Sequence, residues 1–253
     1  MNVLDEIING VREDLAKRRK SLAQIQEEIS NAPAVRQSNF NKETLSIIAE
    51  VKRSSPSRGA ISEIRDPAEL AKQYELNGAS AVSVLTEARR FNGSLNDLDL
   101  VRGEINIPIL RKDFMVDEYQ FYEARAHGAD LVLLIVASIS KSQLNDYYDL
   151  TKELGMKALV EVHDLVELEA AMDIEPEIIG VNARNLKTLE VSNQTFVEIL
   201  PRIPDSVIKV AESGIANSDD VKFARRNGAD VLLVGEALVK NGGDIKKLIG
   251  TLQ

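Results

Sequence analysis

The chain has 253 residues, of which 44% are hydrophobic, and this size suits one large α/β domain or two small ones. Its net charge of −9 at pH 7 argues against nucleic acid or an anionic membrane as the main partner, and the absence of a signal-like or membrane-length apolar run predicts a cytoplasmic protein. Cysteine is absent and only His127 and His163 are present, which excludes disulfides and thiol nucleophiles and argues against a cysteine or histidine metal site.

Two helices are predicted before the first strand. Residues 2–19 place apolar side chains on one helical stripe, which comprises Leu4, Ile7, Ile8, Val11 and Leu15. Ser21 followed by Gln24 has the spacing of a capping box and predicts the start of a second helix, which Pro33 ends. Because these helices precede any strand, we interpret residues 1–44 as a helical extension packed on the main fold.

From Leu45 onward the sequence alternates between predicted strands and helices. Several strands are continuous apolar runs, as expected when both faces of a parallel sheet are buried. The eight predicted strands are Ser46–Val51, Ala79–Leu85, Pro108–Arg111, Leu131–Val136, Ala158–Val162, Ile178–Val181, Val207–Ala211 and Val231–Val234. Between them, Ser140 before Gln143 and Asp164 before Glu167 have the spacing of helix caps.

A short repeat supports this alternation. The segments 77–82, 127–132 and 227–232 each carry Gly-Ala before an apolar run, so a helix ends at glycine and a buried strand begins at once. Eight strands with helices between them predict a single (β/α)8 TIM barrel domain over residues 1–253. The alternative is an open doubly wound sheet, which normally carries a glycine-rich fingerprint after its first strand, and the sequence contains none.

The segment Ser46–Gly59 combines a predicted strand with an unusual pair of charges. Glu50 and Lys52 are two residues apart, so in a strand both side chains lie on the same face. If that face looks into the mouth of a barrel, the pair is a candidate acid–base site next to an anion-binding loop. An exposed edge strand with a cross-strand ion pair explains the same residues, and the segment alone leaves both interpretations open.

Polar residues follow six of the predicted strands at their carboxyl ends, where barrels of this kind carry their chemistry. In chain order they are Glu50 and Lys52, Lys112, Glu161, Asn182 and Arg184, Glu212 and Ser213, and Glu236. Six polar strand ends on one rim are hard to explain as an ordinary solvent-exposed surface, because charges that face the barrel interior are costly unless they are paired or have a function. Structural alternatives exist, such as a Lys112 pair with Asp113 or a purely structural Glu161. For His127 and His163 we expect structural or solvent-exposed roles.

The segments after the last two strands predict a phosphate site. Ser213-Gly214 and Gly235-Glu236 lie where such barrels hold a phosphate through backbone N–H groups. Glycine lets the anion approach the backbone, whereas the Glu236 side chain should point away because it would repel the ligand. Lys52 and Ser55 can complete this cage.

With these residues placed, the chain resembles the indole-3-glycerol-phosphate synthase family of the tryptophan pathway over essentially its whole length. The motifs that carry the resemblance are Ile-Ile-Ala-Glu50-Val-Lys52-Arg-Ser-Ser55-Pro-Ser, Leu85-Thr-Glu, Phe91-Asn-Gly-Ser, Ile-Leu-Arg-Lys112-Asp-Phe114, Leu-Val-Glu161-Val-His, Ile-Gly-Val-Asn182-Ala-Arg184-Asn-Leu, Val-Ala-Glu212-Ser213-Gly214-Ile and Leu-Val-Gly235-Glu-Ala-Leu. The resemblance implies conversion of 1-(2-carboxyphenylamino)-1-deoxyribulose 5-phosphate into indole-3-glycerol phosphate, with loss of CO₂ and water. It implies neither a cofactor nor a metal ion.

The resemblance also assigns roles to individual residues. Lys112 resembles the general acid that protonates the ribulose carbonyl as the anthranilate ring carbon attacks. Glu161 and Lys52 match the groups that handle dehydration, in an order that stays open, and Glu50 matches a residue that positions the lysines. The catalytic set is Glu50, Lys52, Lys112, Glu161, Asn182 and Ser213. The implied binding set is Glu212 in the hydrogen-bonded network, Arg184 near the carboxylate and phosphate, Ser55, Gly214, Gly235 and Glu236 around the phosphate, and Pro56, Phe91, Phe114, Leu133 and Ile135 against the ring.

Two further expectations concern the lysines and the N-terminal helix. Burial lowers the pKa of neighbouring lysines and glutamates oppose that shift, so we expect a balance that leaves one lysine able to donate a proton near neutrality. The chain has no tryptophan, and its N-terminal helix offers Leu4, Ile7 and Ile8 where some relatives place an aromatic residue over the substrate. The expected partner is a phosphorylated small molecule, without nucleic acid or membrane, and we expect a monomer.

Two other functions stay open on the sequence. A Schiff-base aldolase acting on a phosphorylated sugar would use Lys112 or Lys52 as its nucleophile. A non-catalytic binder of a phosphorylated metabolite would keep the fold without turnover, although the retained Glu50, Lys52, Lys112 and Glu161 argue against it.

Overall fold

The computed structural model describes residues 3–55, 59–60, 64–240, 244–245 and 248. Its strands are β1 (Ser46–Val51), β2 (Ser54–Ser55), β3 (Gly59–Ala60), β4 (Ala81–Leu85), β5 (Ile109–Lys112), β6 (Leu131–Ile135), β7 (Lys157–Val162), β8 (Ile178–Asn182), β9 (Ile208–Glu212) and β10 (Val231–Val234). Its α-helices are α1 (Val3–Arg18), α2 (Leu22–Asn31), α3 (Pro67–Leu76), α4 (Leu95–Glu104), α5 (Tyr119–Ala126), α6 (Lys141–Glu153), α7 (Leu165–Met172), α8 (Gln194–Ile199), α9 (Ser218–Arg226) and α10 (Glu236–Lys240). The eight strands predicted from the sequence are all present.

Eight strands close a parallel barrel in the order β1-β10-β9-β8-β7-β6-β5-β4. The first strand pairs with both β10 and β4, so it is not an edge strand. Helices connect successive barrel strands, which confirms the predicted (β/α)8 TIM barrel and excludes the open doubly wound sheet.

The Gly-Ala repeat joins neighbouring β/α units. Gly128 ends α5 with a φ of 76°, and the N–H of Ala129 then bonds to the carbonyl of Ala124 at 2.9 Å, which closes the last helical turn. Asp130 follows, and its Oδ2 accepts the N–H of Ile109 at the start of β5, at 2.8 Å. One short motif therefore ends a helix, begins a strand and ties that strand to its neighbour.

Side chains along the barrel strands alternate between two cores. On β1, Ile47 and Ala49 belong to the core between barrel and helices, whereas Ile48 belongs to the core inside the barrel. The same alternation places Glu50, two residues beyond Ile48, at the carboxyl end of the barrel interior. Position along the strand thus decides whether a charged residue faces the helices or the pore.

The helical extension lies across α5 and the carboxyl-terminal mouth of the barrel. The apolar stripe of α1 is buried as predicted, and Leu4, Ile7 and Ile8 join the interior core near Phe114. At the end of α1, Arg18 pairs with Glu123 of α5 at 2.9 Å. The extension therefore contacts the elements that follow β5.

A short hairpin follows β1 where the sequence indicated only a loop. Strands β2 and β3 pair antiparallel, with Ser54 opposite Ala60. The N–H of Ser54 also donates to the carbonyl of Phe91 at 3.3 Å. The Ser/Pro/Arg/Gly composition predicted a loop, and strands of two residues each carry no strand pattern of their own.

Candidate active site

The ion pair of Glu50 and Lys52 lies inside the barrel mouth. Glu50 is buried at the end of β1, and the Nζ atom of Lys52 contacts its Oε2 atom. Since β1 is paired on both sides, the edge-strand interpretation of this pair is wrong. The pair instead forms one sector of a charged ring at the carboxyl ends of the strands.

Lys112 occupies the centre of that ring. Its Nζ atom lies 2.7 Å from Glu212 Oε2 and 3.2 Å from Glu161 Oε2, across the barrel interior. Both carboxylates are almost completely buried, whereas 13% of the Lys112 side chain is exposed. The alternative pair of Lys112 with Asp113 does not form, because Asp113 bonds to Thr86 on the other side of β5.

The charges of this cluster are strongly coupled. Burial alone would lower the pKa of Lys112, but Glu212, Glu161 and Glu50 outweigh it and hold the pKa well above its usual range. The expectation of a lysine poised near neutrality is therefore wrong for Lys112, because the opposite charges next to it exceed the effect of burial. At neutral pH this side chain is an ammonium.

The two carboxyls on either side of Lys112 differ from each other. Burial would raise the pKa of Glu161, but Lys112, His163 and Asn182 outweigh it and hold that pKa well below its usual range. Burial raises the pKa of Glu212 to about 8, and Glu161 adds to the rise while Lys112 opposes it. The pKa values of the two carboxyls are therefore shifted in opposite directions, an arrangement typical of acid–base catalysis.

Two adjoining cavities meet at this cluster. The larger, about 430 Å³, has polar and apolar surface in similar amounts and is named the polar cavity for its charged and polar lining residues, which include Arg184, Glu212, Ser213, Gly214, Gly235 and Glu236. The smaller, about 90 Å³, is mainly apolar and is lined by Phe91, Phe114, Leu133, Ile135, Glu161 and Asn182, among others. Glu50, Lys52 and Lys112 line both cavities, so the charged ring lies at their junction.

Backbone geometry shapes the polar cavity after β9. Ser213 and Gly214 have φ values of 62° and 70°, two successive left-handed residues, and such a conformation is strained at a non-glycine residue. A Cβ atom on Gly214 would collide with Asn193 Oδ1, and one on Gly235 would collide with the carboxylate of Glu50. Glycine at both positions therefore lets the backbone come close to the cavity.

The apolar cavity is closed by aromatic and aliphatic side chains. The rings of Phe91 and Phe114 lie 6.2 Å apart between centroids. Leu4 and Ile7 of α1 belong to the same apolar cluster as Phe114. Helix α1 therefore adds aliphatic side chains to the apolar cluster that contains Phe114.

Comparison with known proteins agrees with this geometry. The family model described as indole-3-glycerol phosphate synthase matches residues 4–252. Proteins named indole-3-glycerol phosphate synthase from Micrococcus luteus and from Nocardioides sp. are each 52% identical to the chain. The match covers 96% of this chain and 94% of the first relative, and 99% of both chains for the second. A protein of the same name from Beutenbergia cavernae is also 52% identical, over 96% of this chain and 92% of its own.

The chain belongs to the indole-3-glycerol phosphate synthase family. This family comprises carboxy-lyases of tryptophan biosynthesis, so the resemblance drawn from the strand-end motifs is confirmed. Most residues expected from that family line the two cavities. The side chain of Ser55 and all of Pro56 lie outside the described residues.

Three residues that border the site were not singled out from the sequence as functional. Glu87 accepts the N–H groups of Arg90 at 2.7 Å and Phe91 at 3.0 Å, so its carboxylate fixes the loop that carries the apolar wall. Asn193 donates to the carbonyl of Gly214 at 3.3 Å. His163 contacts Glu161 from outside the cavities. Glu87 belongs to a quoted family motif, but its contacts depend on a turn that composition alone does not specify.

In the part of the chain that the structure describes, no group of three or more histidine, aspartate or glutamate side chains is arranged to hold a metal ion. Over the same residues, no helix is long and apolar enough to cross a membrane.

Proposed function

We propose that the chain closes the indole ring, converting 1-(2-carboxyphenylamino)-1-deoxyribulose 5-phosphate into indole-3-glycerol phosphate, CO₂ and water. The observation that carries this proposal is the position of Lys112 between Glu161 and Glu212, where a polar cavity meets an apolar one. The polar side suits the phosphate and hydroxyl groups of the substrate, and the apolar side suits its carboxyphenyl ring.

Condensation needs a proton at the ribulose carbonyl. The ring carbon that bears the carboxylate bonds to the carbonyl carbon, and the carbonyl oxygen takes up a proton as its π bond breaks. Lys112 suits this role because its neighbours keep it protonated, and the alkoxide that forms is a much stronger base than an amine. Loss of CO₂ then returns an electron pair to the ring and restores its aromaticity.

Dehydration needs an acid and a base. The hydroxyl made in the first step leaves as water, which requires one proton delivered to the oxygen and one removed from the substrate. Glu161, whose pKa is lowered, suits the base, whereas Lys52 and Glu212, whose carboxyl pKa is raised, both suit the acid. The resemblance leaves open the order in which Lys52 and Glu161 act.

Substrate contacts follow from the two cavities. Backbone N–H groups at Ser213, Gly214 and Gly235 are proposed to hold the phosphate, with Lys52 and Ser55 beside them. Arg184 lines both cavities and suits a negatively charged substrate group, and its N–H donates to Asn182 Oδ1 at 3.0 Å. The wall residues are proposed to pack against the ring, and they are Pro56, Phe91, Phe114, Leu133 and Ile135.

The test is a fluorescence assay for the indole product from the carboxyphenylamino-deoxyribulose phosphate. We expect indole fluorescence to rise with saturable kinetics. Borohydride trapping with a keto-phosphate discriminates the alternative aldolase, because ring closure forms no lysine imine whereas a Schiff-base aldolase becomes covalently labelled. Saturable binding without turnover would favour the non-catalytic binder. The monomeric state and the cytoplasmic location stay predictions.

A further inference from the structure

A line of three side chains leads from the barrel interior to the start of α7. Glu161 Oε1 lies 3.2 Å from His163 Nε2, and His163 Nδ1 lies 2.9 Å from Glu167 Oε2. The imidazole is 11% exposed and the Glu167 side chain is 19% exposed, so the line runs from a fully buried carboxylate toward solvent. The ring of His163 is thus held between two carboxylates.

Local structure fixes this arrangement. Asp164 caps α7 and accepts the N–H of Glu167 at 2.8 Å, which holds Glu167 in the first helical turn. The carboxylate of Glu167 reaches back to accept the backbone N–H of His163 at 2.8 Å as well as its ring Nδ1. His163 follows Glu161 by two residues at the end of β7, and that spacing aims both side chains the same way.

The surroundings of the imidazole favour its charged form. Burial alone would lower the pKa of His163, but Glu161 and Glu167 outweigh it and raise the pKa to about 10. A neutral imidazole has one N–H group, whereas an imidazolium presents a positively charged N–H group to each of the two carboxylates. The contact with Glu161 is an ion pair rather than a well-aligned hydrogen bond, because His163 Nε2 has no hydrogen-bond partner in the described part of the chain.

We propose that His163 is a positioning residue for Glu161, an imidazolium fixed by Glu167 that holds one oxygen of Glu161 and keeps this carboxyl ionised. The inference rests on the proposed function, in which Glu161 is a base. With Oε1 facing His163, the other oxygen of Glu161 faces Lys112 and the cavities. The groups that face Glu161 are Lys112 from β5, Asn182 from β8, Glu212 from β9 and His163 itself. Two of them are cations, so removal of His163 leaves Lys112 as the only cation of this set.

The charge of His163 can be measured without any turnover. The chain has only two histidines, so an NMR titration of the imidazole resonances is assigned with the single variant His127→Gln. His127 lies on the surface, where its Nδ1 atom is 2.7 Å from Asp99 Oδ1, and its ion pair is separate from those of Glu161. We expect His163 to remain protonated to above pH 8. Titration of His163 near the value of a free imidazole, about 6.5, would overturn the proposal.

The action on Glu161 is read from the pH dependence of kcat/KM. We divide kcat/KM of the His163→Gln variant by kcat/KM of the unmodified chain at each pH, which cancels the effect of substrate ionisation. Loss of an adjacent opposite charge raises a carboxyl pKa by about 1–3 units, so we expect that ratio to fall at least tenfold between the neutral plateau and the acid limb. His127→Gln is the matched control and should give a ratio near one at every pH. A purely structural role lowers the ratio equally at all pH values and contradicts the inference.

A second variant protects the test against misfolding. Glu167→Gln keeps the side-chain shape but removes the charge that fixes the imidazolium. We expect the NMR titration of His163 to move to lower pH and the acid limb to move in the same direction as in His163→Gln, by a smaller amount. An unmoved titration contradicts the proposal. If the unmodified chain makes no indole product, the proposed function fails, while the two NMR titrations still decide the charge of His163.

Discussion

Arg111 and Lys112 are adjacent on β5, and their positive charges lie on opposite faces of the barrel wall. Arg111 faces the helices and is completely buried. Its guanidinium donates to Thr86, to the Gln120 carbonyl, and to the carboxylates of Asp113 and Glu123, at distances of 2.9–3.1 Å. Every guanidinium nitrogen has an acceptor, and the charge of Arg111 is balanced by buried carboxylates, so this outer cluster is compensated within the fold.

The inner cluster around Lys112 is incomplete by comparison. Glu212 Oε1 is buried and has no hydrogen-bond partner among the described residues, and the cluster opens onto two cavities. Buried polar groups in folded proteins are normally satisfied, so an unsatisfied one indicates strain or function. The contrast teaches that a buried charge alone does not mark the active site. What distinguishes the inner cluster is that its charged side chains line two cavities.

The largest expected effect is on the inner cluster. Glu161→Gln keeps the size of the side chain but removes the base, and we expect turnover to fall by about 10²–10⁴-fold. Lys112 and His163 both lose an ionised partner, so unfolding free energy is lost as well, and turnover is compared at a temperature where the variant stays folded. Steady-state assay of the indole product and urea unfolding measure the two quantities. Glu169→Gln on the exposed face of α7 is the control, and a loss of turnover shared by both variants would contradict the assignment.

The outer cluster should respond in the opposite way. Arg111→Met leaves Asp113 and Glu123 buried beside an apolar side chain, and removal of one partner of a buried pair typically costs about 3–5 kcal/mol of unfolding free energy. At a temperature where the variant stays folded, its turnover should remain within about tenfold of the unmodified chain. Lys141→Met, which breaks an exposed pair with Asp173, is the control and should change stability by less than about 1 kcal/mol. A stable but inactive Arg111→Met would remove the distinction between the two clusters.

A smaller effect concerns the pH dependence of stability. The pKa of Glu212 is raised to about 8 in the folded chain. Between the ordinary pKa of this carboxyl in the unfolded chain and pH 8, the folded state therefore binds a proton that the unfolded state has lost. Stability contributed at this site is therefore present at low pH and is lost as the pH rises toward 8. Glu212→Gln cannot titrate, and we expect its stability relative to the unmodified chain to improve from pH 5 to pH 8. A difference independent of pH in urea unfolding contradicts the raised pKa.

Much of the fold follows from local patterns in the sequence. Continuous apolar runs after Gly-Ala, as at Ala129, specify where buried strands begin, and the strand-end rule then places Glu50, Lys112 and Glu161 on one rim. The sequence did not predict which charges pair, because Lys112 bonds to partners 49 and 100 residues away in the chain. Which of those partners holds a proton depends on burial in the folded barrel.

The roles of Arg111, Lys112 and His163 depend on contacts that local sequence patterns do not specify. Arg111 and Lys112 both appear at one polar strand end, and only the alternation of the strand separates a structural arginine from the lysine of the site. His163 was expected to have a structural or solvent-exposed role. Its contact with Glu161 depends on Glu167 reaching back from α7, which capping spacing alone does not reveal.

The most direct test measures CO₂ release and indole formation in the same single turnover, for the unmodified chain and for Lys112→Ala. We expect one CO₂ for each indole product from the unmodified chain. From Lys112→Ala we expect both products at rates at least about 10²-fold lower, with the substrate still bound. Near-normal rates for Lys112→Ala, or consumption of the substrate without CO₂, would contradict the claim that Lys112 drives ring closure at the junction of the two cavities.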